Sequence, residues 1–117
     1  MIFDKDFIYK SSHRVLLELH LKKLFKKYLL RKNIKKIVDF GSGFPRYKFL
    51  APNSKWYFFD INPKNKNIIY SNEKNIPIDT ADIFLCLEVM QYIDLQNLKT
   101  FFWEIKRIIG NDGIGII

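Results

Sequence analysis

Between Ser12 and Arg31 the apolar residues Leu17, Leu21, Leu24, Phe25, Tyr28 and Leu29 recur at helical spacing, while Lys22, Lys23, Lys26 and Lys27 take the other face. That pattern predicts an amphipathic helix, which Asn33 ends. Ile34 to Phe40 is the first predicted strand, and its Ile37-Val38 pair suits a strand covered on both faces. Gly41 to Asn53 holds a glycine turn and a short helix around Tyr47 to Leu50, stopped before Pro52 because the residue preceding a proline avoids the α region. Trp56 to Asp60 is the second strand, Asn67 to Tyr70 a short third one after the turn residues Asn62-Pro63-Lys64-Asn65, and Ala81 to Leu87 the fourth. Leu95, Leu98, Phe101, Phe102, Ile105, Ile108 and Ile109 then step by three and one, which predicts a helix over Leu95 to Ile109 with Asp94 as N-cap and Gly110 at C′. Asn111-Asp112-Gly113 is a turn, and Ile114 to Ile117 opens a fifth strand.

Helices and strands that alternate with connections too long for hairpins predict an α/β chain with a mostly parallel, Rossmann-like sheet and helices on both faces. Residues 1–33 form an N-terminal helical segment expected to pack on a domain spanning residues 34–117. At 117 residues, 48% hydrophobic and 16% aromatic, the chain has material for one packed core rather than a disordered tail. The formal charge of +8 comes from 20 Lys and Arg against 12 Asp and Glu, but 16 of the 20 are Lys in an Ile- and Asn-rich background, so basicity alone argues little for nucleic acid. Cys86, the lone cysteine, sits in an apolar run and rules out an intrachain disulfide. With no signal-peptide pattern at the N-terminus and no apolar run near the ~18 residues of a membrane span, the expectation is a cytoplasmic protein.

The chemistry concentrates in two places. Ile37-Val38-Asp39-Phe40-Gly41-Ser42-Gly43 is a strand that breaks into a Gly-x-Gly turn, where the absence of Cβ lets backbone approach a ligand. Nineteen positions after Gly41, Asp60 ends the second strand, where a carboxylate can accept both hydroxyls of a ribose. Together they predict a nucleoside-containing cofactor at a strand-to-helix crevice.

Four blocks in register resemble the class I S-adenosylmethionine-dependent methyltransferases, particularly the small-molecule and glycan-directed branch. Val38-Asp39-Phe40-Gly41-Ser42-Gly43 is similar to the family's glycine motif and Asp60 to the acidic residue after its second strand. Asn72 to Asp82 resembles its stretch leading into the fourth strand. Glu88-Val89-Met90-Gln91-Tyr92-Ile93 and the segment Glu104 to Gly113 resemble its "EVLEHI" and "EIxRVLKPGG" segments. The resemblance implies that S-adenosyl-L-methionine is the cofactor, with Gly41 and Gly43 passing close to its methionine and ribose end. Asp39 would help hold the amino group, Asp60 the ribose diol, Ile61 and Asn72 the adenine, and the carbonyls near Cys86 and Leu87 the methionine ammonium. Methyl transfer to a small-molecule or glycan acceptor is implied, with Glu88 and Tyr92 as the candidates for a base.

The chain departs from the family at three points. Pro45 stands where many relatives have a third glycine, though its fixed φ still allows a helix start. Asn72 and Tyr92 replace an Asp and a His. The chain stops at the fifth strand, where the family continues through two more, so that edge is expected to need a covering partner or further sequence. A noncatalytic methyltransferase-like module that docks on such a partner is therefore the alternative. An NAD-dependent oxidoreductase is disfavoured by Arg46 at the third glycine position and by the lack of a Tyr-x-x-x-Lys pair. A nucleic-acid methyltransferase is disfavoured by the lack of an Asn-Pro-Pro-Tyr-like tetrad after Leu85. His13 and His20 lack partners at ligand spacing, so no metal site is expected. The lysine stripe of the first helix reads as a solvated face.

Overall fold

The structure is a computed structural model, and it describes residues 5–31, 33–41, 46–60, 69–70, 76–77, 80–87 and 93–117. The chain divides into two compact units, Met1–Asn33 and Ile34–Ile117. In the first, helix α1 runs Lys5–Arg31, seven residues earlier than the apolar periodicity alone marks. Neither glycine nor proline interrupts residues 5–31, so nothing in that stretch breaks the helix. Leu21 and Phe25 are buried, Lys22, Lys23, Lys26 and Lys27 are exposed, and Lys22 pairs with Glu18 one turn back at 3.5 Å.

The second unit is an α/β domain built on a parallel sheet. Its strands are β1 (Lys36–Phe40), β2 (Lys55–Asp60), β3 (Ile69–Tyr70), β4 (Ile83–Leu85) and β5 (Ile114–Ile116). They lie in the order β3-β2-β1-β4-β5, and every neighbouring pair is parallel. A central parallel strand must be apolar on both faces, and β1 and β4 meet that demand, with Ile37, Val38, Ile83, Phe84 and Leu85 at 0% exposure. Side chains alternate across a strand. Val38, Phe40, Phe59, Phe84 and Cys86 therefore turn to one face, where they form a core with Ile76, Ala81 and the Phe101, Ile105 and Ile108 stripe of helix α2 (Leu98–Ile109). Phe40 anchors this core between the Phe84 ring at 5.9 Å and the Phe101 ring at 6.0 Å.

The start of α2 differs from the expectation. A 3-10 turn over Leu95–Asn97 precedes it, the Asp94 side chain makes no capping bond, and the Asp94 carbonyl instead accepts the Asn97 amide at 2.8 Å. The tighter turn also rotates Leu95 out of the apolar stripe, leaving it 85% exposed. At the other end Gly110 has φ 65° and returns its amide to the Lys106 carbonyl, as a helix stop of this kind requires. Gly113 follows because a Cβ there would collide with the Ile109 backbone and Cβ, so only glycine lets the chain fold back into β5.

The N-terminal edge of the sheet is fastened by one carboxylate. Asp82 Oδ2 accepts the amides of Lys35 and Lys36 at 2.8 and 2.9 Å. The Asp82 amide donates to the Lys36 carbonyl and its own carbonyl accepts from Ile114, which joins β1, β4 and β5 at one point. Arg107 does similar work from α2, holding Glu104 at 2.7 Å and donating to the Ile76 carbonyl at 2.5 Å. Ile76 is thereby held in the core at 1% exposure.

Candidate functional site

The chain runs from β1 outward to β2 and β3, then crosses back to place β4 on the other flank of β1. The reversal makes the C-terminal ends of β1 and β4 a topological switch point, which is where open parallel sheets bind ligands. Gly41 sits at that point. Its amide extends the ladder to the Phe59 carbonyl at 2.8 Å, and then φ of 73° turns the backbone out of the sheet. A residue with a Cβ pays about 1 to 2 kcal/mol for that conformation, which explains why the strand ends on glycine.

Asp39 precedes this turn and is 4% exposed. Because Val38 and Phe40 face α2, Asp39 faces the opposite side of the sheet. Register pairs Asp39 with Phe58, so Asp60, two residues further along β2, shares that face. Among the described residues, Asp39 Oδ2 is a buried acceptor without a hydrogen-bond donor. Burial, followed by the charge of Asp60, pushes the Asp39 carboxyl up to about 7. On the far flank, Cys86 follows β4 with its amide on the Ile116 carbonyl at 2.9 Å. Its side chain is fully buried in the core cluster, and burial together with Asp39 raises the thiol to about 12. Cys86 is therefore a packed, protonated thiol, whatever its backbone does.

Of the residues singled out from sequence, Asp39, Gly41, Asp60, Cys86 and Leu87 are brought to neighbouring strand ends. Gly43, Ile61, Asn72, Glu88 and Tyr92 lie outside the described residues. Two of the four family-like blocks have structural work to do. Arg107 of the Glu104–Gly113 block clamps Ile76 of the Asn72–Asp82 block, and Asp82 of that block ties three strands at the end away from the switch point. Sequence reading missed both of these anchors. No group of three or more His, Cys, Asp or Glu that could hold a metal occurs among the described residues. Nor, among them, is any helix long and apolar enough to cross a membrane. Compared with known proteins, the chain matches no family model and no curated protein.

Proposed function

We propose that the domain binds S-adenosyl-L-methionine at the C-terminal ends of β1, β2 and β4 and transfers its methyl group to a small molecule or glycan precursor. The observation that carries this reading is a left-handed glycine at the switch point, two residues after a buried carboxyl whose Oδ2 has no donor among the described residues. A cationic ligand seated against that turn gives Oδ2 its missing partner, and Gly41 offers no side chain to block the approach. Asp60, at the end of the adjoining strand, is positioned to accept a ribose diol. Ile61 and Asn72 are assigned to the adenine, Gly43 to the methionine end, and the Cys86 and Leu87 carbonyls to the ammonium.

The cofactor supplies an activated methyl on sulfur, so little covalent chemistry is left to the protein. Its residues fix the ligand's ends, align an acceptor with the methyl and keep water out. Glu88 and Tyr92, which follow β4 in sequence, are the candidates to take a proton from the acceptor. Such a protein works in the cytoplasm, where the cofactor is made and a lone thiol stays reduced.

Calorimetric titration of the chain with S-adenosylmethionine tests the assignment. Saturable binding is expected, weakened about 10- to 100-fold by Asp60→Ala, the cost of removing a charged hydrogen-bond acceptor. Absence of binding to the folded chain would defeat the reading. It would favour instead a noncatalytic module completed at β5, which among the described residues pairs only with β4.

A further inference from the structure

We propose that Asp39 is a proton-linked seat for the cationic end of the ligand: its carboxyl is protonated in the ligand-free protein and gives up that proton when an ammonium group binds. The inference rests on the cofactor reading above and adds to it a thermodynamic coupling between ligand and proton.

The geometry sets the coupling. Asp39 is the acidic side chain buried within the sheet, at 4% exposure. Its Oδ2 has no donor among the described residues, and Asp39 takes part in none of their ion pairs. Among the described residues, the ionisable group that acts on it is Asp60 at the end of β2, while Cys86 just beyond β4 is itself acted on by Asp39. Neither is a cation. Asp60 shares the face of Asp39 and repels its charge, while the buried Cys86 thiol stays neutral. The basic residues of α2 (Lys99, Lys106 and Arg107) belong to the helix on the opposite face of the sheet. An ionised Asp39 is thus left both desolvated and beside a like charge, an arrangement that a proton or a ligand cation relieves equally well. The two compete for one carboxyl. A ligand with a fixed positive charge must displace the proton, so its binding releases protons and tightens as pH rises toward 7, whereas a neutral nucleoside leaves the proton in place.

The experiment is calorimetric titration with S-adenosylhomocysteine, whose amino-acid end carries the ammonium, and with 5′-methylthioadenosine, which lacks that end. Running each at pH 6.5 in phosphate and in imidazole, which differ in ionisation enthalpy, counts the protons released. With Asp39 near 7 in the free protein, S-adenosylhomocysteine should release about three-quarters of a proton and bind roughly fifteenfold tighter at pH 7 than at pH 5.5. Methylthioadenosine should release none and show a flat profile. Asp39→Asn, which keeps the shape of the protonated acid, should abolish release and flatten the profile for both ligands. Binding of S-adenosylhomocysteine with identical heats in the two buffers overturns the inference while leaving the cofactor reading intact, as does proton release that survives in Asp39→Asn. Failure of both ligands to bind at any pH removes the cofactor reading, and this inference with it.

Discussion

Replacing Asp39 by Asn should make the ligand-free protein more stable, and by an amount that depends on pH. In the unfolded chain the Asp39 carboxyl ionises near 3.8, and in the fold it ionises at about 7. Below 3.8 both states hold the proton and the residue is neutral in its effect. Between these values only the folded state binds it, so stability falls with each step up in pH, and above 7 the full penalty of a buried charge is in place. That limiting penalty is on the order of 4 kcal/mol, and between pH 5 and pH 8 it accounts for a change of about 3 kcal/mol. Domains of this size have a net stability of roughly 5 to 15 kcal/mol, so the effect is large enough to measure. Urea titrations followed by the fluorescence of Trp56 and Trp103 at pH 5 and pH 8 give the unfolding free energies of both proteins. The wild type should lose about 3 kcal/mol relative to Asp39→Asn across that interval, because the amide does not ionise. Parallel pH profiles for the two proteins would refute the argument, since they would mean that the carboxyl is paired or solvated in the fold.

Gly41→Ala should cost about 1 to 2 kcal/mol of stability from the left-handed backbone alone, and it should weaken S-adenosylhomocysteine binding in the same calorimetric assay; unchanged values for both would show that the turn tolerates a Cβ. Arg107→Ala removes donors to Glu104 and to the Ile76 carbonyl, and a loss of about 1 to 3 kcal/mol in urea denaturation is expected. The same loss in Arg107→Lys would argue that the guanidinium fork itself is needed. Cys86, fully buried and with its thiol at about 12, should react with a thiol reagent at neutral pH only after unfolding. Rapid labelling of the native protein would contradict its place in the core.

The elements that could be read from sequence are those whose pattern is local. Ile37-Val38 and the run Ile83 to Leu87 read as central strands because burial on both faces leaves no polar alternation, and β1 and β4 do lie at the centre of the sheet. The Phe101, Ile105 and Ile108 spacing likewise marked the buried stripe of α2. What failed was the choice between helix types at Asp94, where a 3-10 turn satisfies the same amides through backbone alone. The anchors Asp82 and Arg107 could not be read, because their partners lie 46 and 31 residues away and no local rule connects them. At the switch point, the positions of Gly41 and Asp60 followed from the strand-turn pattern. The burial of the Asp39 carboxyl with Oδ2 lacking a donor among the described residues did not, because an acid before a glycine turn is equally compatible with a bond to loop amides, and only the packed sheet shows how far it is removed from water.

The clamp from Asp82 to the amides of Lys35 and Lys36 also bears on how the chain emerges from a ribosome. β1 is the central strand, yet the residue that secures its start is made 46 positions later. At synthesis rates of about 5 to 20 residues per second, Ile37, Val38 and Phe40 wait roughly 2 to 9 seconds before β4 can cover their second flank. During that interval the nascent protein carries an unpaired apolar edge, the kind of surface through which incompletely folded chains associate.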